Sequence, residues 1–193
     1  AQVHKATIVD TNELVAIKVL RPGIEKAFRK DIDAFYLAAK IIELISPSAR
    51  RLKPTEVIKH FDYVVQGELD LKLEAAAAGE YKSTASQDFG FNVPKTHFFY
   101  TSRRVLTMDW VSGIPFGDTE AINNAGHNKK VLSERLLQVF LRQALNDGYF
   151  HADLHQGNMK ISSSGDIVAY DFGIMGRIDE YTCLLYTSDA ADD

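Results

Sequence analysis

The chain has 193 residues, enough for one domain or for two small lobes that share a cleft. Its apolar content of 46% is ordinary for a globular protein, and a net charge of -4 excludes the broad basic surface of a nucleic-acid binder. No apolar run approaches the ~20 residues that a helix needs to cross a bilayer. Residues 2–9 and 13–20 read as two strands joined by the turn Asp10-Thr11-Asn12. Lys18 ends a Val-Ala-Ile-Lys run in the second strand, where kinases keep the lysine that contacts the α- and β-phosphates of the nucleotide. A compact ammonium on a flexible stem suits that task. Taken alone, the same residue is simply a lysine on an edge strand.

Arg21-Pro22-Gly23 breaks the strand, and residues 24–45 are then helical, with Ile24, Phe28, Ile32, Phe35, Ala39 and Ile42 recurring at three- or four-residue spacing. Ser46-Pro47-Ser48 ends this helix. Pro54 opens another, which the pattern carries unbroken to about Ser83 with Ile58, Phe61, Val65, Leu69 and Leu73 on one stripe. Within it lie Glu68, Asp70 and Glu74. On one continuous helix Glu68 and Glu74 face different directions, so one can meet Lys18 while the other faces elsewhere. An ordinary solvated charge pattern accounts equally well for Glu68 or Asp70. The alanines 75–78 are good helix filler.

Residues 94–100 and 104–110 read as two more strands around Thr101-Ser102-Arg103, and Met108-Asp109-Trp110-Val111 leads into a hinge-like break at Ser112-Gly113-Ile114-Pro115. In a kinase this segment lies beside the adenine, which makes Met108 and Trp110 candidate nucleotide contacts; Trp110 reads equally well as plain core. Residues 129–147 form an apolar helix, with Leu132, Leu136, Val139, Phe140, Gln143 and Ala144 in phase.

The stretch HADLHQGNMKISSSGDIVAYDFG, residues 151–173, organises the rest. Phosphoryl transfer needs a carboxylate near the attacking hydroxyl and oxygen ligands for Mg²⁺ on the nucleotide phosphates. Here Asp153 stands in the position of the first, and Asn158 and Asp171 in the positions of the metal ligands, in the order H-x-D-x-x-x-x-N then D-F-G. His151 buttresses the loop. Either motif alone is weak; together they agree in order, in spacing and in context, because short alternating strands at Met159-Lys160-Ile161 and at residues 166–170 flank the turn Ser162-Ser163-Ser164-Gly165. The last eleven residues, CLLYTSDAADD, break from the preceding pattern and match the translation of a sequencing-library adapter. They hold the lone cysteine, Cys183, so the remainder has none, as in a reducing compartment or a fold without disulfides.

On these residues the chain resembles the UbiB/AarF group of atypical kinase-like proteins. The resemblance covers residues 1–182 and is carried by the opening Gln2-Val3-His4-Lys5-Ala6, by Lys18 with Arg21-Pro22-Gly23-Ile24, by Glu68-Leu69-Asp70 with Glu74-Ala75, by His151-Ala152-Asp153 with Gly157-Asn158, and by Asp171-Phe172-Gly173. It implies an α+β, protein-kinase-like two-lobed fold. The N-terminal lobe spans 1–111 with inserted helices and is incomplete at its start, the mostly helical C-terminal lobe begins at 112–182, and 183–193 is a non-native tail. It implies that Lys18 pairs with Glu74, that Glu68 and Asp70 form an extra acidic motif facing the nucleotide pocket, and that Asp153, Asn158 and Asp171 keep the kinase roles. The implied cofactors are ATP or ADP with Mg²⁺. The implied activity is that of an ATPase or small-molecule phosphotransferase supporting ubiquinone biosynthesis, on the cytoplasmic side of a bacterial membrane or in mitochondria. The implied partners are the nucleotide, quinone-precursor lipids and other biosynthetic proteins, with membrane contact made through parts outside this chain. Leu154 and Gln156 depart from the family's usual prolines in that loop. The competing readings are another small-molecule kinase of the aminoglycoside- or choline-kinase type, and a nucleotide-binding scaffold without turnover.

Overall fold

The structure is a computed structural model and describes residues 1–178. The tail expected at 183–193 lies outside the described residues. Strands β1 (Gln2–Thr7) and β2 (Leu14–Val19) form an antiparallel hairpin, and Asn12 turns it in the left-handed region at φ 57°. β4 (Val105–Asp109) adds antiparallel to β2, giving a three-stranded sheet in the order β1-β2-β4. Gly23, at φ 73°, starts α1 (Ile24–Ile45), which spans the range that its apolar spacing predicts.

The long helix expected from Pro54 to about Ser83 is two helices. α3 (Pro54–Glu68) stops at Leu69, and α4 (Leu71–Ala85) starts afresh behind Asp70. The reason is local. Asp70 is extended (φ -120°, ψ 91°) and its carboxylate accepts the Lys72 N–H at 3.0 Å, an N-cap that competes with helical continuation. The Leu71 N–H, freed from any helical partner, donates to the Arg103 carbonyl at 2.9 Å. The short helix α2 (Pro47–Arg50) sits between α1 and α3.

A second correction concerns residues 94–100. Only Thr96 bridges to Met108; Phe98–Tyr100 coil into a 3₁₀ turn, and the exposed Phe98 and Phe99 rings have no sheet face to cover. A two-residue strand, β3 (Phe91–Asn92), precedes them and pairs parallel with β8 (Ile167–Ala169). β8 pairs with β7 (Met159–Ile161) and β7 with β5 (Ile114–Pro115), completing a four-stranded sheet β3-β8-β7-β5. β3, which precedes the break at Ser112, thus joins a sheet whose other strands follow it. α5 (Thr119–Asn124) and α6 (Lys129–Arg142) follow β5. α6 runs into a π-turn at Gln143–Asp147, and Gly148 at φ 61° redirects the chain into β6 (Tyr149–His151), which pairs with β9 (Met175–Arg177).

One core joins the two sheets: Leu20, Leu71, Tyr81 and Leu106 pack in the same cluster as Phe116, Ile122, Ile161 and Phe172. α1 and α3 close on a separate, smaller cluster of Ile32, Val65 and Leu69. Phe35 and Ile42, in phase with the α1 core stripe, remain about half exposed, because among the described residues α1 packs mainly on α3 and the short α2. Among the described residues, no helix is long and apolar enough to cross a membrane.

Candidate active site

A cleft of about 250 Å³ opens between the two sheets. Val3, Ala16 and Lys18 of the first sheet line one wall, Lys160, Tyr170 and Asp171 the other, and Met108, Trp110 and Val111 close its edge. The alternation of β2 buries Val15 and turns Ala16 and Lys18 toward the cleft. Lys18 Nζ lies 2.7 and 2.9 Å from the two Glu74 carboxylate oxygens and 3.4 Å from each Asp171 oxygen. Glu74 sits in the first turn of α4, buried, so the Asp70 cap that starts the helix also places the carboxylate against Lys18.

Charge is strongly managed here. Burial works against the Lys18 ammonium, but Glu74 and Asp171 outweigh it and raise its pKa above the ordinary lysine value. Burial likewise opposes ionisation of Asp171; Lys18 and the Gly173 N–H overcome that and hold its carboxyl below the usual range. Burial pushes Glu74 upward while Lys18 pulls it back. Glu68 is raised by burial, with Asp171 and Asp153 adding to the effect. Its carboxylate lies so close over Gly173 that a Cβ there would stand 3.2 Å from Oε2. The break between α3 and α4 turns Glu68 toward Asp171, whereas one continuous helix would have pointed it away from the side where Glu74 meets Lys18. Asp70 caps α4 and stands 3.8 Å from Arg103; like Glu68, Glu74, Asp153 and Asn158, it does not contribute to the lining of the cleft itself.

The catalytic-type loop is pinned through His151. Its Nδ1 accepts the Asp153 N–H at 3.1 Å, so the proton resides on Nε2, which donates to the Asp171 carbonyl. The ring is 1% exposed and packs against Tyr81 and Phe172. Asn158 Nδ2 donates to the Asp153 carbonyl at 3.2 Å, and the Tyr170 N–H donates to the Asn158 carbonyl, so Asp153, Asn158 and Asp171 are tied to one another through the backbone. Trp110, weighed equally as core and as a nucleotide contact, is half-buried at the cleft edge, with Lys5 and Lys160 ammonium groups 5.0 and 5.4 Å from its ring centre. Met108 is buried and lines the cleft. Lys160, Tyr170 and Val3 line it too, although sequence reasoning passed over them. Lys160 did carry a signal, as a lone charge between Met159 and Ile161 in the strand that follows Asn158.

Among the described residues, no three His, Cys, Asp or Glu side chains gather into a metal site of their own. The donors at hand are the partly exposed Asp171 carboxylate and the Asn158 amide oxygen, which is left over once its NH₂ binds Asp153. Few protein oxygens suit Mg²⁺, which takes most of its ligands from phosphates and water. The donor set fits that ion.

A strand lysine clasped by a helix glutamate, facing an Asp-Phe-Gly aspartate across a cleft between two sheets, defines a kinase-like fold. The match to known sequences narrows it: the ABC1 atypical kinase-like domain matches residues 1–189, and the chain belongs to that family. It is 38% identical over 182 residues to "Probable protein kinase UbiB" of Marinobacter nauticus, covering 92% of this chain and 33% of that protein. It is 35% identical over 184 residues to the same-named protein of Shewanella frigidimarina, covering 93% of this chain and 34% of that one. The chain thus spans about a third of the length of these curated relatives. Among solved structures, Rv3197 of Mycobacterium tuberculosis in complex with erythromycin superposes with a TM-score of 0.70 at 25% identity, over 91% of this chain and 43% of that one.

Proposed function

We propose that this chain is the nucleotide-binding part of a UbiB-like atypical kinase or ATPase that uses Mg-ATP and supports isoprenoid quinone biosynthesis at a membrane. The observation that carries this reading is the clasp of Lys18 by Glu74 and Asp171 at the back of an apolar cleft, assembled from residues 56 and 153 positions apart. In this reading Lys18 holds nucleotide phosphate and Glu74 orients it. Asp153 accepts a proton from the attacking hydroxyl or water. His151 holds the Asp153 amide in place, and Asn158 and Asp171 hold Mg²⁺. The metal supplies neutralisation of phosphate charge. In the same reading Glu68, whose carboxylate lies over Gly173, stands at the phosphate end. Quinone-precursor lipids and other biosynthetic proteins are the partners this reading calls for, together with parts of the longer relatives outside this chain.

Thermal shift with ATP or ADP tests it. A ligand that binds only the folded chain stabilises it by ~2.7 kcal/mol at one hundred times its Kd. The expected result is a Mg²⁺-dependent rise in Tm that Asp171→Asn removes. No rise with either nucleotide would sink the reading.

A further inference from the structure

The cleft contains a cation that phosphoryl transfer does not use. Lys160 lies in β7 between Met159 and Ile161, which are 1% and 0% exposed in the core, so strand alternation sends its side chain the other way, into the cleft. Its ammonium donates to the Val111 carbonyl at 3.0 Å and stands 5.4 Å and 5.8 Å from the ring centres of Trp110 and Tyr170. These three contacts fix the charge at the edge where the chain passes from β4 to β5. Two backbone N–H groups of that edge are engaged: the Asp109 N–H donates to the Lys95 carbonyl at 2.9 Å and the Trp110 N–H to the Leu14 carbonyl at 3.0 Å. Lys160 therefore occupies the Val111 acceptor and puts donors in its place. An ammonium has three N–H groups, of which Val111 takes one.

A flat base entering between Val3 and Ala16 on one side and Lys160 and Tyr170 on the other rests on the Lys160 methylenes. Its edge then meets a cation. A 6-amino group is a donor and gains nothing there. A 6-oxo group together with N7 offers two acceptors, the pair that lysine reads in guanine. We propose that Lys160 is the base-reading residue of the cleft and that the cleft takes 6-oxopurine nucleotides, GDP and IDP among them, beside adenine nucleotides. This inference rests on the nucleotide reading above, and its test separates the two.

Calorimetric titration of the chain with ADP, GDP and IDP in Mg²⁺ would be compared with Lys160→Met, which keeps the stem and removes the donors, and Lys160→Arg, which keeps donors. GDP and IDP are expected to bind the unaltered chain within about threefold of ADP, and Lys160→Met to weaken both by about tenfold relative to ADP, the scale of one charge-assisted hydrogen bond, with Lys160→Arg retaining them. Including IDP isolates the 6-oxo group, since it lacks the 2-amino group of guanine. The inference is overturned if ADP binds while GDP and IDP do not, if IDP alone fails, or if Lys160→Met weakens all three nucleotides equally. Binding of none of the three overturns the nucleotide reading itself. The Tm of each variant without nucleotide verifies its folding.

Discussion

The Lys18 ammonium is surrounded by four carboxylate oxygens within 3.4 Å, with Glu74 the nearest and the most buried of its partners. Glu74→Ala removes the closer pair and leaves a cation mostly enclosed beside one carboxylate. The expected cost is about 3 kcal/mol in urea unfolding, since breaking one side of a buried pair strands the other charge. An unchanged midpoint would show that the clasp contributes nothing to folding. His151 sets a different dependence. Burial holds its imidazole below the ordinary pKa, the Asp171 carbonyl and the nearby carboxylates only partly offsetting this. The unfolded chain therefore takes up that proton first. Stability from this group is full above about pH 6.5 and falls as the pH drops from there toward the folded-state pKa. Protonation at Nδ1 also breaks the bond from the Asp153 N–H. In His151→Gln, Tm should decline less between pH 7.5 and 5.5 than in the unaltered chain, about the window that the histidine pKa sets; equal slopes would remove His151 as the cause.

At the level of elements, the break between α3 and α4 does the most for the site. Asp70 stops one helix and starts the next, and four residues on, Glu74 meets Lys18. Asp70→Ala should lower stability by about 1 kcal/mol, with Asp70→Ser retaining most of it, the usual worth of an N-cap hydroxyl or carboxylate. If serine were no better than alanine, the contact between Asp70 and Arg103 would matter more than the cap. Behind the site, the π-turn after α6 directs Gln143 inward, where its side-chain oxygen accepts the Tyr81 O–H at 2.6 Å and its NH₂ donates to Asp88 at 2.8 Å. Tyr81 in turn packs on Phe172 and His151, so the polar network under α4 braces the Asp-Phe-Gly segment from within the core.

For the whole molecule, the main core crosses from one sheet to the other, while the α1–α3 pair rests on its own cluster of three buried side chains. Regions with few buried contacts open at lower free energy than the global core. Backbone amides of α1 and α3 should therefore exchange with deuterium well before those of α4 and of the β7–β8 hairpin. Simultaneous exchange would mean that the pair unfolds only with the rest.

The local motifs were readable because their chemistry is local. Val-Ala-Ile-Lys on a strand, His151 to Asn158 in a loop, and Asp171-Phe172-Gly173 after a strand each rest on residue type and short spacing, and α1 follows from a breaker and an apolar repeat. The bounds of α4 were not readable, since its apolar stripe continues smoothly from α3 across Asp70. Whether that aspartate caps a helix or rides along one depends on Leu71 finding the Arg103 carbonyl in a distant loop. On one continuous helix Glu68 and Glu74 would diverge, although the resemblance implied that Glu74 pairs with Lys18 and that Glu68 faces the pocket; the break at Asp70 sets Glu74 against Lys18 and brings the Glu68 carboxylate over Gly173. Residues 94–100 have the composition of a strand, but a strand needs an edge to pair with, and only Thr96 finds one. The sequence by itself determined the kinase-like family and its motifs, because those motifs depend on spacing along the chain. Only the tertiary structure decided that Asp171 joins Glu74 around Lys18, and that Lys160 lines the edge of the cleft, because both depend on packing between segments far apart in the chain.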